Sequence, residues 1–319
     1  MDTNKNQNQK WTTKRLNDLF LTVPINEDQY LSLEMSLFGI PWILPSVVNS
    51  AEWSDHSYQE LLSGTIPKTT TALSLKQQGI SHLDSDDFAG FHEVHSLKLT
   101  DNLLTVFPNL SSVARTLAEL KIDVNRISVL PGEHLRVLMQ LEILNLHDNA
   151  LKDVTSDQFQ GLSKLHTLNL AYNELMVLPD LSCIGGTLRV LTVTSNGKLR
   201  SVPPAHLNSL TKLETLNLNA IGLKSLPDPG GIWQPQATAN LQTLDIPDNA
   251  LPILYDYKDG LWVTAHGNPL VCNQRLAWLL RPSLNARGKC TSSQKFQSIS
   301  YKDLMGSKGE FSMPSSLLN

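Results

Sequence analysis

By type and spacing, the residues best suited to chemistry are the histidines of His92-Glu-Val-His95 and the acidic trio Asp84, Asp86 and Asp87. Two imidazoles three residues apart suit a transition metal, and closely spaced carboxylates suit calcium. Neither arrangement is complete. No cysteine or further histidine lies near the pair in the chain, which stands in a turn entering a strand and reads as solvated. The acids lack the spacing and glycine of a calcium loop, so they read as a solvated loop that also starts the next segment. There is no Gly-x-Ser-x-Gly, no phosphate-cradling glycine loop and no His-Glu-x-x-His. The sequence therefore implies no catalytic residue, no cofactor and no metal. Of the three cysteines, Cys183, Cys272 and Cys290, at most two can pair within one chain.

Composition narrows the classes further. Of 319 residues, 41% are hydrophobic and 18% charged, which excludes a disordered acidic chain or a coiled coil as the dominant element. A net charge of −4 argues against nucleic acid as a partner, because phosphate neutralisation needs a clustered positive field. No run of about eighteen apolar residues suggests a transmembrane span. Leucine is the exception to an ordinary composition, with 56 occurrences, and most of them are periodic.

Aligned on a leucine pair, the chain reads Leu73-Ser-Leu75, Leu97-Lys-Leu99, Leu120-Lys-Ile122, Leu144-Asn-Leu146, Leu168-Asn-Leu170, Leu191-Thr-Val193, Leu216-Asn-Leu218 and Leu244-Asp-Ile246. The steps are 24, 23, 24, 24, 23, 25 and 28 residues. An apolar residue precedes most pairs by three positions, and an amide follows three positions after: Asn102, Asn125, Asn149, Asn173, Asn196 and Asn249, with Asn268 continuing the series. In such a triplet the outer two side chains share one face of a short strand. One coil cannot bury its apolar face, but a stack of coils buries a continuous core. The asparagines carry both donors and an acceptor, so they can satisfy turn backbone inside the stack as a structural ladder. Gln78 stands where the first asparagine should be, and Ile221 replaces the amide in the seventh repeat. Because Ile221 cannot hydrogen-bond and Pro227–Pro235 is inserted just after it, the coil is expected to bulge there.

The pattern L-x-x-L-x-L-x-x-N-x-L resembles the leucine-rich repeat family over roughly residues 70 to 270. The resemblance implies an α/β solenoid: a curved parallel sheet on the concave face and short or irregular helices on the convex face. Phe88 and Phe159, with Leu135 and Leu207 in the same slot, match the convex-side core residue of the 24-residue class common in extracellular animal proteins. Residues 67–262 are expected to hold about eight repeats, 263–306 a C-terminal flanking cap and 307–319 a tail.

That cap resembles the flanking domain of extracellular repeat proteins through Asn268-Pro269, Cys272, Leu276, Trp278-Leu279, Cys290, Tyr301 and Leu304. The family usually places four cysteines there. Gln274 stands where the second belongs, and none follows Cys290, so the resemblance implies a Cys272–Cys290 disulfide worth about 3 kcal/mol, the alternative being two reduced thiols. Cys183 is then expected as a small buried, inert residue. Residues 1–66 form an N-terminal extension and cap. Within it, 35–50 resembles a signal-peptide apolar region and cleavage site, the alternative being an apolar cap broken by Pro41 and Pro45. Asn109-Leu110-Ser111 is a candidate N-glycosylation triplet.

Function is expected on the concave face, in three columns of outward residues. The candidate partner-binding residues are Lys76, Lys98, Asp101, Lys121, Asp123, Asn145, His147, Asp148, Asn169, Tyr172 and Asn217. Lysines gather at one end, amides in the middle and aspartates at the other. Lys98 and Lys121 should be neighbours, tolerated because Asp101 and Asp123 flank them. The family resemblance implies a non-catalytic, secreted or cell-surface binding protein with a protein or glycan partner. Two rival readings are a non-catalytic stabilising subunit of a secreted enzyme complex and an intracellular scaffold.

Overall fold

A computed structural model describes residues 54–199, 201–226, 239–252, 254 and 261–270, and the backbone of 285–287, 289–291 and 298–300, all within the unit Ala51–Asn319. Eleven strands form one sheet in chain order: β1 (Ser54–Asp55), β2 (Ala72–Ser74), β3 (Ser96–Lys98), β4 (Glu119–Lys121), β5 (Ile143–Asn145), β6 (Thr167–Asn169), β7 (Val190–Thr192), β8 (Thr215–Asn217), β9 (Thr243–Asp245), β10 (Trp262–Thr264) and β11 (Asn285–Arg287). Every pairing in this sheet is parallel. The register puts Leu73 against Leu97, then Leu120, Leu144, Leu168, Leu191, Leu216, Leu244 and Val263. Each leucine of that series is fully buried. A separate antiparallel pair joins β12 (Lys289–Thr291) to β13 (Ser298–Ser300).

The sheet extends past both boundaries read from the sequence. At the start, β1 and helix α1 (Tyr58–Ser63) precede the first leucine pair. Ser57 and Glu60 form a reciprocal cap on α1, and Gly64 ends it at φ 70°, a conformation that glycine takes without strain. At the end, β10 adds a coil only nineteen residues after Leu244, with Val263 and Ala265 in the leucine slots.

Among the described residues, the opposite side of five coils carries a short turn of helix. Two are α-helical, α2 (Gly132–Arg136) and α3 (Pro204–Asn208), and three are 3₁₀: Ser85–Phe88, Ser156–Phe159 and Ser182–Ile184. Their inward residues Phe88, Leu135, Phe159, Ile184 and Leu207 are buried in the common core. The acids near the start of the chain serve this local geometry, since the Asp87 carboxylate accepts the Asp84 backbone N–H at 2.9 Å. In α2 and α3 a histidine replaces that device. His134 Nδ1 meets the Phe107 carbonyl at 2.8 Å, and His206 Nδ1 meets that of Leu178 at 2.7 Å.

Asparagines thread the interior. Asn149 Nδ2 donates to the carbonyls of Ile122 and Leu146, and its Oδ1 accepts the Ile127 N–H. Asn102, Asn125, Asn173, Asn196, Asn249 and Asn268 repeat this arrangement, each donating to its own coil and to the coil before. Consequently one carbonyl receives two amides: Leu99 takes Asn102 and Asn125, Ile122 takes Asn125 and Asn149, and Leu146 takes Asn149 and Asn173.

The bulge expected at Ile221 is absent. Ala220 turns at φ 51° like its counterparts, and Ile221 is fully buried. Asn249 of the next coil accepts the N–H groups of Ile221 at 3.2 Å and Leu223 at 3.0 Å. The preceding coil is one residue longer than most, and it bends so that Leu199 donates to the Asn196 carbonyl of its own coil at 2.9 Å. The donor that an amide at 221 would have served is therefore already satisfied, and an apolar residue fits.

Cys183 also differs from expectation. It is exposed, and its Sγ lies 3.1 Å from the Ser156 carbonyl, because the 3₁₀ turn points Ile184 rather than Cys183 into the core. The Cys272–Cys290 pairing, the 35–50 segment and the 307–319 tail lie outside the described residues.

Candidate functional site

The outer face of the parallel sheet is built by position within each coil. The residue after the central leucine points away from the core, as does the residue before it, because side chains alternate along a strand. Lys98 and Lys121 are register partners, and Asn145, Asn169, Thr192, Asn217 and Asp245 continue the row. Neighbouring members are about 4.8 Å apart, the spacing of paired strands.

The column before the leucine was not among the residues singled out from sequence, yet it organises the lysine end. Glu119 sits 3.4 Å from the Lys121 ammonium and accepts the Ser96 hydroxyl at 3.1 Å. The two flanking aspartates also accept hydrogen bonds, Asp123 from Thr100 at 3.0 Å and Asp101 from Gln77 Nε2 at 2.8 Å. Glu119 thus joins the charges that surround Lys121. Lys98 is buried, at 6% exposure, so it is a poor contact for an incoming partner. A strand residue between two leucines looks outward in sequence, and only the three-dimensional surroundings show this one covered.

Asparagines of the middle row have a structural duty. The N–H two residues on is left over by the parallel ladder, and the side-chain carbonyl takes it: Asn145 from His147 at 3.1 Å, Asn169 from Ala171 at 3.0 Å, Asn217 from Asn219 at 3.0 Å. The Nδ2 groups of Asn145 and Asn169 make no hydrogen bond among the described residues and remain as donors.

The third column is a row of left-handed residues. Gln77, Asp101, Val124, Asp148, Tyr172, Ser195, Ala220 and Asp248 all have φ between 51° and 57°. This region costs a non-glycine residue about 1–2 kcal/mol, and in six of the eight turns an asparagine follows and braces it. The kink swings the side chain clear of the strand. Tyr172 is 48% exposed on this account, and its ring packs against that of His147 in the adjacent coil, with centroids 4.8 Å apart and planes at 51°. Asp148 is exposed in the neighbouring left-handed turn. The centre of the face therefore carries an aromatic pair, two amide donors and a carboxylate.

Towards the other end the face is less open. Asp245 is buried at 7% exposure, and burial pushes its carboxyl above the usual range, with the Thr264 hydroxyl and His266 pulling it back. At the lysine end, Lys76 is half-buried just after β2. Just before β3, His95 Nδ1 lies 2.6 Å from the Glu93 carbonyl, and His92 is exposed in the segment that leads to it. Among the described residues no helix is long and apolar enough to cross a membrane.

Comparison with known proteins identifies the repeat. A family model described as leucine rich repeat matches residues 115–175. The chain is similar to human leucine-rich repeats and immunoglobulin-like domains protein 1, 28% identical over 159 residues, covering 50% of this chain and 14% of that protein. It is similar to chicken keratocan, 35% identical over 125 residues, covering 39% of this chain and 34% of keratocan. Schizosaccharomyces pombe adenylate cyclase matches at 27% identity, over 58% of this chain and 12% of that enzyme. The chain thus spans 34% or less of the length of these relatives. Among solved structures, a Leptospira interrogans leucine-rich repeat protein aligns with a TM-score of 0.50 and 19% identity, covering 70% of this chain and 66% of that one.

Proposed function

The chain belongs to the leucine-rich repeat family, and from that premise we propose that it is a non-catalytic extracellular protein that holds a protein partner on the outer, concave face of its sheet. The observation that carries this reading is the packed His147–Tyr172 pair, with Tyr172 half-exposed between coils that also offer Asn145, Asn169 and Asp148. A rigid aromatic surrounded by directional polar groups is the composition of an interface centre, where tyrosine is enriched and a few residues dominate binding. The face is polar and half-open, which suits a broad hydrogen-bonding partner better than a lipid. The extracellular part is supported by the cysteine pattern of the C-terminal flank and by the apolar stretch within residues 35–50.

The test is an affinity capture from extracellular fluid with the full chain, the H147A/Y172A variant and the flank variant M139A. Met139 is 57% exposed and lies off the sheet face. Loss of the aromatic pair should weaken capture by about 30-fold, corresponding to about 2 kcal/mol for a hot-spot pair. M139A should capture as the parent does. Equal capture by all three, with unchanged circular dichroism, refutes the reading.

A further inference from the structure

The triplet Asn109-Leu110-Ser111 is the only Asn-x-Ser/Thr sequence in the chain. It lies twelve residues beyond the central leucine of β3, on the flank of its coil and off the sheet face. Asn109 is half-buried and Ser111 exposed. The Asn109 side-chain carbonyl accepts the Ser111 backbone N–H at 3.0 Å, while its Nδ2 makes no hydrogen bond among the described residues. Three residues earlier, Val106 is 44% exposed and bridges Val129, itself 51% exposed. The coil thus presents an apolar strip with the amide beside it.

We infer that Asn109 carries an N-linked oligosaccharide, added when the chain enters a secretory pathway. This inference rests on the extracellular part of the proposed function. In the transfer, one Nδ2–H bond of Asn109 and the anomeric C1–O bond of a lipid-diphosphate-linked oligosaccharide break. The Nδ2–C1 bond forms, and the lipid diphosphate leaves as the proton passes to base. Leu110 is completely buried in the finished coil, so the triplet cannot be drawn into an enzyme cleft once the coil has closed. Attachment therefore precedes folding. The sugar stands on the flank that bears Val106 and Val129, leaving Asn145, Asn169 and Tyr172 uncovered.

The experiment expresses the full chain in a eukaryotic host in two forms, one as it stands and one behind the host's own secretion signal. The signal-fused chain should show one mobility step that peptide-N-glycosidase removes, with Asn109 converted to aspartate in the peptide mass spectrum. S111A should abolish the step while keeping the Asn109 side chain and its backbone acceptor role, and S111T should retain it. Folded, unmodified protein from a non-glycosylating host should not be an acceptor in vitro. Secretion of the fused chain with Asn109 unmodified overturns the inference. A modified fused chain beside an unsecreted native chain upholds the acceptor site and refutes the extracellular reading instead.

Discussion

Removing one rung of the interior ladder, by Asn149→Ala, gives a cost that the hydrogen bonds themselves apportion. The variant takes donors from three carbonyls, but none becomes an orphan. Ile122 keeps Asn125 Nδ2 at 3.1 Å, Leu146 keeps Asn173 Nδ2 at 3.0 Å, and His147 keeps the Val124 N–H at 3.0 Å. The loss concentrates on the Ile127 N–H, whose acceptor is Asn149 Oδ1 at 2.9 Å and which is buried with its residue. An unsatisfied buried donor costs about 1–3 kcal/mol, and the weakened carbonyls bring the total to about 2–4 kcal/mol. For a domain of this size that is a fall of roughly 4–16 °C in Tm. Urea denaturation gives the total, and native-state hydrogen exchange at Ile127 locates it. A change below about 0.5 kcal/mol, with Ile127 still protected, would refute the assignment of that N–H to the ladder.

Two further substitutions probe the same architecture. Ile221→Asn restores the repeat pattern yet should destabilise by about 1–3 kcal/mol, because Leu199 already donates to Asn196 and the new carbonyl meets no donor; a gain in denaturation midpoint would show that the longer coil does not replace the rung. Val124→Asn should stabilise by about 1 kcal/mol, since Val124 is held at φ 53° while 37% exposed and asparagine tolerates that conformation. An unchanged midpoint would mean that the left-handed turn is not strained by valine.

The strands and the ladder were legible because both depend on residue type at a fixed interval. Leu120, Leu144 and Leu168 mark strand centres, and Asn125, Asn149 and Asn173 mark the turns. The final coil was less legible: Val263 and Ala265 occupy its leucine slots, and the shortened step removes the period. The left-handed row was hidden for a different reason. Valine, tyrosine and alanine have no preference for that conformation, so nothing in Val124, Tyr172 or Ala220 announces it; the following turn imposes it from outside. In the candidate site, Tyr172 and His147 could be picked out as lone aromatics among polar neighbours. That Lys98 is covered depends on its three-dimensional surroundings, and that Glu119 answers Lys121 depends on a column that alternation alone does not rank.

The interrupted rung has a mechanical meaning. Among the described residues, the Val193 carbonyl receives the Asn196 amide alone and the Leu218 carbonyl the Asn249 amide alone, so no interior amide there spans from one to the other. Coils on either side are joined there by backbone pairing and packing without the internal tie that fastens their neighbours. Pulled from its two ends, such an array should part first between β7 and β8, as fabric tears where a stitch was dropped, and the pieces on each side should hold their shape after the seam has opened.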